Sequence, residues 1–135
     1  MSPSNLEKSE VVIAKILQLA IDHGLSHWFL SFADLELDDS YATFFYPALR
    51  WLEDEGIIRV GEYGRTMGGL AEGSVANVHL TSFGMYLLGR SLDVGGRKVT
   101  LGEEVKRVSE GHRSFSSIGD FVGGVLGGFT KLMGS

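Results

Sequence analysis

The 135-residue chain contains no cysteine. That absence removes disulfides, thiolate zinc ligands and a cysteine nucleophile together. Proline is nearly as scarce: there are two, and Pro47 lies inside a helical pattern, so most breaks between elements must come from glycine and capping residues. No apolar run approaches the roughly 18 residues of a membrane-spanning helix. Residues 1–8 show no basic-then-apolar leader, and the expectation is a soluble, cytoplasmic chain with no stable membrane insertion. Catalytic signatures are missing too. There is no phosphate-cradling glycine loop followed by Lys and Ser or Thr, no Gly-x-Ser-x-Gly elbow and no His-Glu-x-x-His. The expectation is a non-enzyme without a cofactor. His23 and His27 have the spacing of a helical metal pair, but Gly24 interrupts the helix between them and no third ligand is near, so no metal is expected.

Positive charge is short as well, and unevenly so. Residues 1–89 hold 5 Lys/Arg against 12 Asp/Glu, a balance of −7, whereas residues 90–135 hold 7 against 5, a balance of +2. Lys and Arg supply most nucleic-acid affinity by neutralising phosphates, so the acidic part meets a duplex with long-range repulsion. The 44% apolar content is enough for one core, which suits a single domain with an appendage.

Ser4 and Glu7 have capping-box spacing, and Val12, Ile13, Ile16, Leu17, Ala20 and Ile21 then share one side of a 3.6-residue repeat, predicting a helix over residues 5–23. After the apolar Trp28-Phe29-Leu30, Ser31 and Asp34 repeat the cap spacing ahead of a brief helix through Leu37. Asp38-Asp39-Ser40 punctuates. A third helix runs to Glu55 and stops at Gly56; it either starts near Thr43 or is kinked at Pro47. Residues 57–62 and 75–80 read as paired strands around a loop carrying Gly64, Gly68, Gly69 and Gly73. Thr81 caps a helix to about Leu92, Asp93-Val94-Gly95-Gly96 breaks the chain, and Thr100 with Glu103 opens a short helix that Gly111 closes.

Tyr46-Pro47-Ala48-Leu49-Arg50-Trp51-Leu52-Glu53-Asp54-Glu55-Gly56-Ile57-Ile58 resembles the third helix of the PadR-like winged-helix transcription regulators. Leu80-Thr81 with Gly84, Leu87 and Leu88 is similar to the signature that follows the wing in that family. The resemblance covers about residues 6–92. The residue pattern adds a C-terminal helical extension over residues 97–135 for packing or dimerisation, while the resemblance implies a mainly α fold with a small antiparallel β-ribbon, a winged helix-turn-helix domain over residues 5–92. The resemblance further implies a homodimeric regulator of double-stranded DNA whose third helix enters a major groove and whose wing touches the backbone. Ser40, Tyr41, Thr43 and Arg50 would then face the groove, with Arg59 and Arg65 on phosphates. Base reading uses amide or guanidinium forks, and residues 38–45 contain no Asn, Gln, Arg or Lys. The alternative is a winged helix that binds protein instead of DNA.

With Leu49 at the centre of the buried side of the third helix, Phe44 and Trp51 fall nearly opposite it. Two outward aromatics favour a protein partner or a dimer seam, unless the first helix or the C-terminal tail covers them. In that tail Ile118, Phe121, Val122, Val125, Leu126, Phe129, Leu132 and Met133 share one helical side, and Phe121, Val125 and Phe129 are expected at an interface. The interior glycines Gly119, Gly123, Gly124, Gly127 and Gly128 penalise that helix by roughly 4–5 kcal/mol in all, so it needs a surface to fold against.

Overall fold

In the first helix, α1 (Asn5–His23), the Ser4 hydroxyl accepts a hydrogen bond from the Glu7 N–H at 3.1 Å while the Glu7 carboxylate accepts from the Ser4 N–H at 2.9 Å. This reciprocal cap satisfies two of the donors that every helix start leaves open. The computed structural model to which α1 belongs describes residues 4–64, 72–94 and 96–110. α1 ends where Gly24 turns to φ +60° and its N–H bonds the Ala20 carbonyl. Val12, Ile16 and Leu17 on α1 are fully buried, and most of the later helical elements pack against it.

Strand β1 (Phe29–Leu30) is followed by a 3-10 helix (Phe32–Leu35), shorter than the helix anticipated through Leu37. Glu36 adopts φ +55° and ends it. A second 3-10 helix (Asp39–Phe44) leads directly into α2 (Phe45–Asp54). Pro47 therefore lies in the first turn of α2, where its missing N–H forfeits no intrahelical bond. Gly56 at φ +77° closes this segment.

The ribbon between residues 57 and 80 forms as two short pairings. Strand β2 (Ile58–Arg59) pairs antiparallel with β5 (His79–Leu80), and β3 (Glu62–Gly64) pairs with β4 (Ser74–Ala76). β1 joins the far side of β4 to make a three-stranded antiparallel sheet in the order β1-β4-β3. Asn77 sits at the step between the two pairings with φ +56°, a geometry that Asn tolerates better than most residues. Its side-chain oxygen accepts from the Trp28 N–H at 3.0 Å and its own N–H bonds the Trp28 carbonyl at 2.7 Å, clamping β1 to the ribbon.

Thr81 caps α3 (Ser82–Leu88) by accepting from the Gly84 N–H at 2.9 Å, while its hydroxyl reaches the Gly56 and Ile57 carbonyls. The expected helix to about Leu92 ends at Leu88. Residues 91–100 instead form an antiparallel hairpin of β6 (Ser91–Val94) and β7 (Arg97–Thr100). Gly96, in the stretch read as a chain break, lies between the two strands at φ +81°, the left-handed geometry that tight hairpins demand. Thr100 and Glu103 then cap α4 (Leu101–Ser109), which packs on α1 and contributes Val105 to the core. The division anticipated between residues 92 and 97 thus falls on a hairpin. The described chain is helical with small antiparallel sheets, and among the described residues no helix is long and apolar enough to cross a membrane.

Candidate functional site

The buried arc of α2 comprises Phe45, Tyr46, Ala48, Leu49 and Leu52. At about 100° per residue its centre lies roughly 30° from Leu49, toward Ala48 and Leu52. The exposed stripe is consequently Pro47, Arg50 and Asp54 on α2, continued by Thr43 in the 3-10 helix before it. This corrects the expectation that Phe44 and Trp51 point straight outward. Both are half-buried on the flank of α2 that faces α1 across a cleft, a flank that the buried Ala48 shares.

Between the two helices lies a cleft of about 320 Å³. Leu6, Ser9, Glu10 and Ile13 line one wall, and Phe44, Pro47, Ala48 and Trp51 line the other. Each wall has the spacing i, i+3, i+4, i+7, the signature of one side of a helix. The walls are mainly apolar. Leu6 is 64% exposed on the rim, whereas Glu10 is 3% exposed within the wall. Phe44 and Trp51 were legible as a pair, but the α1 half of the site was not, since Leu6 and Ser9 belong to no apolar run.

The residues expected at DNA are only partly gathered. Ser40 is exposed, but its N–H donates to the Asp38 carboxylate at 2.9 Å and its hydroxyl bonds the same oxygen. These two bonds, the side-chain one first, hold the Asp38 carboxyl below the usual carboxylate range, with a smaller contribution from the Lys8 charge. Lys8 Nζ lies 5.4 Å from the centre of the half-buried Tyr41 ring. That geometry engages the cation inside the protein. Thr43, Arg50 and Arg59 are exposed. Arg50 shares its neighbourhood with Glu53 and Asp54, all three acting electrostatically on the Tyr63 phenol. The Tyr63 hydroxyl donates to Glu53 at 3.0 Å, and burial first, then this bond, pushes its pKa well above the ordinary phenol value. Arg65, Phe121, Val125 and Phe129 lie outside the described residues.

No family model, curated protein or solved structure matches the chain. Its geometry has to carry the functional reading.

The outer side of the three-stranded sheet carries Phe29, 58% exposed, beside a shallow hollow of about 230 Å³ that Glu62, Gly64, Ser74 and Ala76 complete. His23 stacks on Trp28 with ring centres 3.9 Å apart and planes 6° from parallel, so this histidine serves packing. Among the described residues no group of three or more His, Asp or Glu is placed to hold a metal ion.

Proposed function

We propose that the chain is a winged-helix module that has become a protein-binding unit, taking an amphipathic helix of its partner into the cleft between α1 and α2. Support for the winged-helix reading comes from the order of elements: α1, a short strand, α2, then a ribbon whose second half is joined by that strand. The observation that carries the partner class is the cleft itself. Its size lies at the lower end of small binding sites, and two mainly apolar helical walls suit helix-in-groove recognition, with Trp51 as an aromatic anchor.

The second reading is a PadR-like DNA-binding transcription regulator. It is favoured by the exposure of Arg50 on α2 and Arg59 on the first ribbon strand. The outward stripe of α2 speaks against it. Thr43, Pro47, Arg50 and Asp54 sum to zero charge and offer one base-reading fork, on a part of the chain carrying −7.

Fluorescence anisotropy separates the two. A labelled random duplex at about 50 mM salt is expected to give no binding. A neutral Leu/Gln amphipathic helical peptide is expected to bind with little salt dependence and to lose affinity on Trp51→Ala. Duplex binding that falls steeply with salt, weakens with Arg50→Ala and Arg59→Ala and ignores Trp51→Ala would overturn the protein-binding reading.

A further inference from the structure

We infer that the hollow on the outer side of the three-stranded sheet receives an arginine side chain of a partner protein, with the guanidinium held between the Phe29 ring and the Glu62 carboxylate. The hollow shares no lining residue with the α1–α2 cleft, so it can work whether or not the cleft takes a helix.

Strand register builds the site. Phe29 pairs with Ala76, and Ala76 with Glu62, so the three lie in one row across the sheet. Ser74 and Gly64 pair two positions further along and share the same side. The row between them, Leu30, Val75 and Tyr63, points the other way, and Leu30 and Val75 are 0% exposed in the core. A one-residue slip would turn the outer row inward and bring Val75 out, so the core pins the outer row in place. The outer side therefore carries an aromatic ring on one edge strand, a carboxylate on the other and small residues between them. A Cβ at Gly64 would lie 2.9 Å from the Ser74 carbonyl oxygen, which keeps that part of the floor bare backbone.

This arrangement selects its occupant by chemistry. Two strand spacings separate the Cα atoms of Phe29 and Glu62, roughly 10 Å. The volume of about 230 Å³ lies below that of sites for drug-sized molecules and suits one long side chain. A guanidinium satisfies both ends at once, because it stacks flat on an aromatic face and donates paired hydrogen bonds to a carboxylate. Its methylene stem can meanwhile lie on Ala76 and Gly64. A lysine ammonium is a compact, strongly hydrated point charge that matches neither the flat ring nor the fork of the carboxylate as well.

Both ends are open to such a group. Among the described residues the Glu62 carboxylate makes no hydrogen bond or ion pair, and no cation lies over Phe29. The Phe29 ring meets His27 at 5.2 Å with the planes 76° apart. An edge contact of that kind covers at most one face of the phenyl ring. The balance of −7 over residues 1–89 draws a cationic segment toward this sheet and repels the phosphates of nucleic acids and anionic lipids, which makes the partner a protein.

Nuclear magnetic resonance of the full chain tests the site with acetyl-Gly-Arg-Gly-amide and its citrulline counterpart, which keeps the shape of the guanidinium without its charge. The arginine peptide is expected to shift the Gly64 and Ala76 amides and the Phe29 ring signals with millimolar affinity, on the order of 5-fold tighter than the citrulline peptide. Phe29→Leu and Glu62→Gln alter exposed side chains, so urea unfolding should show little change in stability. Each is expected to weaken the arginine peptide several-fold, and Glu62→Gln should bring the two peptides to equal affinity. Equal affinity already in the wild type overturns the inference, as does the absence of any saturating shift up to roughly 50 mM peptide. A lysine peptide that binds as tightly as the arginine peptide overturns it too. Shifts that vanish with Trp51→Ala would put the peptide in the cleft, overturning this site while leaving the cleft reading intact. Failure of the cleft to take a helical peptide, with the arginine preference at the sheet retained, removes the cleft reading and keeps this site.

Discussion

Gly84 is where α3 meets the start of β2 at closest range, and replacing it by alanine should separate them. A Cβ there would lie 2.2 Å from the Ile57 carbonyl oxygen, 3.1 Å from its carbon and 3.3 Å from Ile57 Cγ2. Ordinary contact begins near 3.4 Å, so α3 has to retreat by about 1.2 Å, the difference between 3.4 and 2.2 Å. The obstacle is backbone, which cannot swing aside. The retreat pulls on the Thr81 N–H bond to the Ile57 carbonyl, 3.0 Å, and on the hydroxyl bond to the same oxygen, 3.1 Å. Overpacking of this kind costs about 1–3 kcal/mol, and each weakened hydrogen bond adds about 0.5–1.5 kcal/mol. Alanine returns about 1 kcal/mol through helix propensity. The net loss should be about 1–5 kcal/mol, centred near 3, read from urea unfolding, with Tm falling by roughly 10 °C at that centre. Gly89→Ala is the internal control, because its nearest atoms would be the Met85 and Tyr86 carbonyl oxygens at 3.6 and 3.7 Å. If Gly84→Ala destabilises no more than Gly89→Ala, the close-approach argument is wrong.

Asn77→Ala combines a left-handed backbone with loss of the acceptor for the Trp28 N–H, so urea unfolding should show a loss of about 2 kcal/mol. Asn77→Asp, which keeps an acceptor, should lose less. The raised phenol pKa of Tyr63 favours the neutral folded form, so its stabilisation is complete below pH 10 and is lost as pH rises beyond it. Wild-type stability should therefore fall more steeply above pH 10 than that of Tyr63→Phe. At Asp38 the sign reverses: the lowered pKa contributes stability above pH 3.8 that disappears as pH falls through the folded value. Ser40→Ala removes the largest cause of that shift, and an NMR titration should show the Asp38 carboxyl moving back toward 3.8.

Features set by neighbours in sequence were legible, and those set by distant contacts were not. The boxes Ser4/Glu7 and Thr100/Glu103 each close across three residues with both reciprocal hydrogen bonds, whereas Ser31/Asp34 closes by half: the Ser31 N–H donates to the Asp34 carboxylate, but the Asp34 N–H goes to the Ser31 carbonyl. The ribbon between residues 57 and 80 was equally visible through its glycine-rich loop. Pairing of β1 with β4 was not, because Phe29 finds Ala76 far along the chain and a two-residue strand has no pattern of its own. The hairpin at residues 91–100 was missed because Leu88 and Leu92 are spaced to continue a helix, while a Gly-Gly pair marks a break and a tight turn alike. On α2 the buried arc was displaced by Ala48, whose small side chain signals little in sequence yet is 5% exposed. That rotation turned Phe44 and Trp51 from an outward face into the wall of a cleft.

The two tryptophans occupy unlike surroundings, which makes the protein its own optical gauge. Trp28 lies flat under the His23 imidazole, with its indole N–H bonded to the Val78 carbonyl at 3.1 Å, whereas Trp51 borders the cleft. Trp28 is buried and held by its stack and its hydrogen bond, so a change in emission on partner binding at the cleft belongs to Trp51. The colour of that emission then tracks how wet the cleft is, without any added label.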